Sequence, residues 1–336
     1  MVGVGAAVML VGRRGDTDFW MLLCKPGTLS RFTHASATFP FSRRIPAMNW
    51  LVLSLCSAFC LATADTVTKR YLSACRPGEM TIIRFGSIGV LLLPLLLVEP
   101  WPKLPQVFWG LLAIAVPIEI LAMWLYMKAI RAAPLSHTLP YLAFTPVFNI
   151  LTGYLGLGET VSLVGLAGIL LVVSGAWLLN LGQGADRPGN LLSPFKAIVR
   201  EEGSRLMLIT AALYSVNSVL GKGMLAYAPP LFLGSFYFFL IGVVAWCIFV
   251  RKGDGSWQSI RNHPWAALFV GIFMSAMVLT HFYAVIRVEV AYMVAVKRTS
   301  LLFGILYGAW LFNEKGLARH LVAGALMVAG VFLIAL

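Results

Sequence analysis

From residue 50 to residue 336 the chain repeats long apolar runs separated by short polar turns, and each run is continuous instead of alternating residue by residue. A bilayer core of about 30 Å takes roughly 20 apolar residues per helical crossing, whereas a barrel strand spans it in about ten residues of alternating sidedness. The pattern therefore predicts helices and argues against a barrel. It implies an all-α membrane protein with about ten transmembrane helices, over 50–68, 80–98, 107–130, 135–157, 161–181, 206–226, 231–250, 265–285, 290–312 and 317–336.

The pattern is duplicated. With Glu159 laid on Glu314, Gly153 falls on Gly308, Thr145 on Ser300, Ser136 on Ala291 and Gly175 on Gly330. Earlier in each half, Lys69 closes the first helix as Lys222 does, Pro77 lies over Pro230, Arg84 over Tyr237, and YMKAIR (126–131) over FYAVIR (282–287). The expected organisation is a five-helix repeat over 48–181, a polar linker over 182–205 and a second repeat over 206–336. An odd number of crossings per repeat inserts the second copy upside down, the arrangement from which secondary transporters are characteristically built. Residues 1–47 stand apart, and two readings remain open for them. Translation starts at Met48, or the segment is cytoplasmic and held there by Arg13, Arg14, Lys25, Arg31, Arg43 and Arg44.

Composition agrees with lipid as the solvent: 60% of the 336 residues are hydrophobic and 12% charged. The net charge of +13 is scattered through short turns without interleaved aromatics, which excludes nucleic acid as the expected partner. Most basic residues follow odd-numbered helices, so the positive-inside rule places both termini outside unless the first 47 residues count against it. The five cysteines (Cys24, Cys56, Cys60, Cys75 and Cys247) have no metal-ligand spacing, and no cofactor or metal is expected. With no HExxH, acidic-pair motif or nucleophile beside a histidine, catalysis is not expected either.

The chain resembles the EamA family of the drug/metabolite transporter superfamily. The resemblance covers everything after Met48 and is carried by Lys69 and Lys222, Arg84 following Pro77, the AIR and VIR turns, and the Gly153–Glu159 and Gly308–Glu314 endings, each followed by a Gly- and Val-rich helix. It implies a ten-helix carrier with a central cavity between inverted repeats, cytoplasmic termini and export of a small metabolite. The implied location is the plasma membrane, the inner membrane in a bacterium. The chain departs from symmetry where Arg84 faces Tyr237, and where Lys297 and Arg298 face Leu142 and Ala143.

Charges inside the membrane cost about 2.5–3.5 kcal/mol each on insertion scales and so demand a partner, water or a route to the interface. Lys297 and Arg298 lie roughly 10 Å into their helix at 1.5 Å per residue. Adjacent helical positions differ by about 100°, so one is expected to face a cavity and the other a neighbouring helix. Glu119, after Pro117, is either a proton carrier or a carboxylate neutralised by Arg84 or Lys297. Asp65 is expected to pair with Lys69 one turn on. His281 stands between Thr280 and Tyr283, and with His137 it could titrate near neutrality or simply pack. Tyr141, Asn149, Tyr214, Asn217 and Tyr292 offer hydrogen bonds near the expected cavity. Gly304 with Gly308, Gly165 with Gly168, and Gly86 with Gly89 read as close-packing pairs. The substrate or coupling candidates are therefore Asp65, Arg84, Glu119, Tyr141, Tyr214, Asn217, His281, Tyr292, Lys297 and Arg298. The expected partners are the bilayer, a small polar or anionic solute such as an amino acid, and protons; oligomeric state stays open. The competing readings are a lipid-linked sugar or phosphate flippase and a non-transporting membrane subunit or enzyme.

Overall fold

The computed structural model describes residues 50–132, 141–180, 201–255, 257–312 and 317–336. The N-terminal segment, His137, Ser136, Glu314 and most of the linker lie outside them. Twelve helices are described: α1 (Trp50–Tyr71), α2 (Pro77–Val98), α3 (Gln106–Ala132), α4 (Thr145–Leu157), α5 (Leu163–Asn180), α6 (Glu202–Met224), α7 (Pro230–Arg251), α8 (Trp257–Asn262), α9 (Pro264–Val285), α10 (Val290–Lys297), α11 (Ser300–Phe312) and α12 (Leu317–Ala335). Six of them (α1, α2, α3, α6, α7 and α9) are long and apolar enough to cross a bilayer, and α5 and α12 contain shorter apolar stretches.

Local sequence explains the ends. Prolines occupy the first turn of α2, α4, α7 and α9, where a missing N–H costs nothing and a fixed φ suits the helix. At α2 the Glu79 carboxylate also accepts the Arg76 N–H at 2.8 Å. After α4, Gly158 takes the left-handed conformation at φ 69°, which L side chains resist, and so reverses the chain into Glu159.

The fourth crossing of each half was expected to run unbroken, and here the structure differs. In the second half, turn residues Arg298 and Thr299 separate α10 from α11; in the first, Ala143 and Phe144 precede α4 at the equivalent register. Both interruptions have a hydroxyl turned back on the preceding helix. Thr145 Oγ1 donates to Leu142 O at 2.6 Å and Thr299 Oγ1 to Val296 O at 2.8 Å. Such back-bonding competes with the helical ladder, and Pro146 removes a donor in the first case.

The most extensive helix contacts join one half to the other: α5 with α12, α2 with α7, α1 with α9 and α3 with α6. Glycines set two of them. A Cβ on Gly168 would stand 2.7 Å from Gly330 O, and one on Gly175 would stand 2.6 Å from Met327 Cγ, so α5 and α12 run antiparallel with their backbones almost touching. Gly78 at the start of α2 meets Asp254 past the end of α7, while Gly89 meets Phe239, so this pair is antiparallel too. In these two pairs the equivalent helices of the repeats pack head to tail, whereas α1 with α9 and α3 with α6 join non-equivalent crossings. Outward, Leu97, Leu163, Trp265 and Phe332 are each more than two-thirds exposed, as a lipid-facing surface requires.

Candidate functional site

Between the halves lies a cavity of about 110 Å³, enough for several waters in a polar setting. Three helices turn one face towards it. Glu119, Met123 and Tyr126 of α3 recur at helical spacing, as do Tyr214, Asn217, Ser218 and Gly221 of α6, and Met274, Met277 and His281 of α9. Arg84, Tyr237, Lys297 and Arg298 complete the polar lining.

Arg84 is fully buried and pairs with Asp65. Asp65 also accepts the Tyr126 hydroxyl at 2.7 Å, and the Arg84 guanidinium lies 5.6 Å from the Tyr126 ring centre. The expected pairing of Asp65 with Lys69 does not form. That face of α1 is turned inward onto α2 and α3, and Lys69 instead donates to the Ile130 carbonyl at 2.7 Å. Glu119 accepts a hydrogen bond from Asn217, which also donates to the Tyr237 hydroxyl at 3.0 Å. Of the two partners expected to neutralise Glu119, Arg84 is already held by Asp65, while Lys297 lines the same cavity without reaching ion-pair distance of Glu119.

Lys297 and Arg298 both line the cavity instead of diverging by the expected 100°. The reason is that α10 ends at Lys297 and Arg298 sits in the turn beyond it. Lys297 Nζ lies 3.1 Å from Met277 Sδ, and Arg298 Nε has no hydrogen-bond partner among the described residues. Neither cation makes an ion pair there. Discounting the neutral Arg84–Asp65 pair, the described lining carries two cations, Lys297 and Arg298, against one carboxyl group, Glu119.

His281 lines the cavity with its Nδ1 unpartnered among the described residues, while Thr280, expected beside it, donates into its own helix at Ala276 O. Two candidates lie elsewhere. Tyr141 packs edge-on against Trp177, with ring centres 6.2 Å apart. Tyr292 extends beside Gly165, where its hydroxyl accepts the Ser162 N–H at 2.8 Å. Both knit the fourth crossings to α5 and are absent from the cavity lining. Tyr126 and Tyr237 were not among the candidates; stepping seven residues along α3 from Glu119 would have found the first.

Comparison with known proteins follows the same outline. A crystal structure of another protein superposes on 85% of this chain and 98% of its own at a TM-score of 0.66 and 16% identity, a likeness of fold alone. An uncharacterized transporter from Methanothermobacter thermautotrophicus is 28% identical over 193 residues, 56% of this chain. The chain spans about half the length of that curated relative, 53% of it. The model of the EamA-like transporter family matches twice, over residues 48–181 and 202–336. With both repeats matched, the chain is a multi-pass integral membrane protein that belongs to the EamA-like transporter family of the drug/metabolite transporter superfamily.

Proposed function

We propose that this protein is a ten-crossing secondary transporter, with inverted repeats of five crossings, that moves a small anionic or zwitterionic solute by exposing the central cavity to each side of the membrane in turn. One observation carries the reading: the cavity between the halves keeps two neighbouring cations, Lys297 and Arg298, without a carboxylate in ion-pair contact among the described residues. Buried charges are retained at a cost in the membrane and mark solute or ion paths. A solute carboxylate or phosphate would satisfy them, and an arginine fork suits the planar geometry of such groups. The aromatic and thioether walls, Met123, Met274, Met277 and Tyr214, would take an apolar body. Glu119, whose hydrogen bond comes from a neutral amide, is the group proposed to carry a coupling proton.

Counterflow in proteoliposomes, with a panel of amino acids, other carboxylates, phosphates and organic cations, tests this. An anionic or zwitterionic solute is expected to exchange, and Lys297→Met is expected to lower its transport about tenfold, the loss of roughly 1.4 kcal/mol of binding. Exchange of cations alone would refute the assigned charge preference. Glu119→Gln is expected to keep solute exchange while abolishing stimulation by a pH gradient; a variant still driven by the gradient would remove Glu119 from coupling.

A second reading, flipping of a lipid-linked phosphate or sugar, is favoured by an apolar groove of about 450 Å³ along α2, α7 and α9, lined by Gly86, Val90, Phe239 and Val243. Phe238 lines the cavity and its neighbour Phe239 the groove, so adjacent positions on α7 face head-group chemistry and lipid. Translocation of a fluorescent lipid-linked phosphate, with soluble anions inert, would select this reading over the first.

A further inference from the structure

At the end bounded by Ser218, Gly221 and Phe282, the cavity meets a polar junction. Lys222, the residue after Gly221, donates to Glu159 Oε1 at 2.5 Å and to the Val288 carbonyl at 2.5 Å. The other Glu159 oxygen accepts the Val290 N–H at 2.8 Å. Glu159 belongs to the first half; Lys222, Val288 and Val290 belong to the second. A single carboxylate thus binds the halves together directly beyond the cavity.

The junction is shaped for this contact. Gly158, in its left-handed conformation, returns the Glu159 carboxylate onto the start of α10, where unpaired amides favour negative charge. Beside it α4 lies flush on α6, because a Cβ on Gly156 would reach within 2.6 Å of Val219 Cγ1. The Lys222 and Glu159 side chains are only 17% and 14% exposed, so their attraction is less screened than that of a surface pair.

We infer that Lys222 and Glu159 form a charged clasp that seals this mouth of the cavity and parts whenever the cavity opens on that side. The inference rests on the cavity being the solute path. Opening draws α4 away from α6 and the start of α10, and water entering the gap weakens the pair further. The clasp is therefore closed or open with little between.

The test uses the full chain with its five native cysteines replaced by serine and Ser218→Cys as a reporter inside the cavity. A membrane-impermeant thiol reagent is added to one side at a time, in intact cells and inverted vesicles. With the clasp intact, labelling from the clasp side is expected to be slower than from the other; equal rates from both sides overturn the inference. Glu159→Gln and Lys222→Met, each separately, are expected to speed clasp-side labelling about tenfold, equivalent to roughly 1.4 kcal/mol of lost closure. Lys222→Arg, which keeps the charge, is expected to label at the parent rate. Acceleration by Lys222→Arg equal to that by Lys222→Met would reveal a packing defect and sink the clasp. Because labelling needs no solute, an inert solute panel would refute the transport reading alone, whereas unchanged labelling in both charge-removing variants would refute the clasp alone.

Discussion

Asp65 shows how much a single buried side chain organises. It gathers the Arg84 guanidinium and the Tyr126 hydroxyl and so makes one end of the cavity locally neutral. Removing one member of a buried pair strands the other charge, at a cost of about 3–5 kcal/mol. Asp65→Asn is therefore expected to lower the detergent-solubilised protein's unfolding temperature sharply, whereas Asp254→Asn, at an interhelical junction, should lower it less; a mild Asp65→Asn would mean that water reaches Arg84. The sequence marked Asp65 and Arg84 as membrane-embedded charges but mispaired them. Spacing along one helix reveals which residues share a face, while the choice of partner is made by neighbouring helices that local periodicity does not locate. Tyr126 was missed for a related reason: a tyrosine among aliphatic residues looks like packing until the helix facing it is known.

Helix spans were largely legible, because continuous apolar runs bounded by proline and glycine leave little choice of element. The broken fourth crossings were not. At Ala143 and Phe144 the interruption leaves the apolar run intact, and a hydroxyl bonding back to its own helix has no hydropathic signature; at Arg298 and Thr299 the polar stretch from Lys297 to Ser300 does mark the place, but it reads as buried charge and not as a break. Glycine pairs had the same ambiguity. Gly168 meets the backbone of α12, yet Gly86 and Gly304, marked by the same small-residue spacing, have no described residue within 4 Å of an added Cβ. The contrast yields a paired prediction. Gly168→Ala would push a methyl within 2.7 Å of Gly330 O, so it is expected to destabilise the α5–α12 contact and lower the melting temperature. Gly86→Ala is expected to be neutral or to stabilise by up to about 1 kcal/mol, the intrinsic helix preference for alanine over glycine. Equal melting temperatures for the two variants would mean that α5 and α12 lie further apart.

Across the bundle, the repeats are interlaced instead of stacked as independent domains. The largest contacts of α1, α2, α3 and α5 are all with helices of the other repeat. Neither repeat can bury its polar face alone, so residues 48–181 and 202–336 expressed as separate chains are expected to be degraded singly and to copurify when produced together. Recovery of a stable lone repeat would contradict the interlaced packing. The duplication was visible in sequence, but interlacing was not, because a register between two copies says nothing about which copy a helix touches.

The placement of the Arg84–Asp65 pair bears on how the chain is made. Both residues and Tyr126 lie on α1 to α3, so they can neutralise one another as soon as those helices enter the lipid. Glu119 must await Asn217, which leaves the ribosome almost a hundred residues later. During synthesis the nascent first repeat therefore shelters its arginine by itself, and holds one carboxyl group in reserve until the second repeat arrives to claim it.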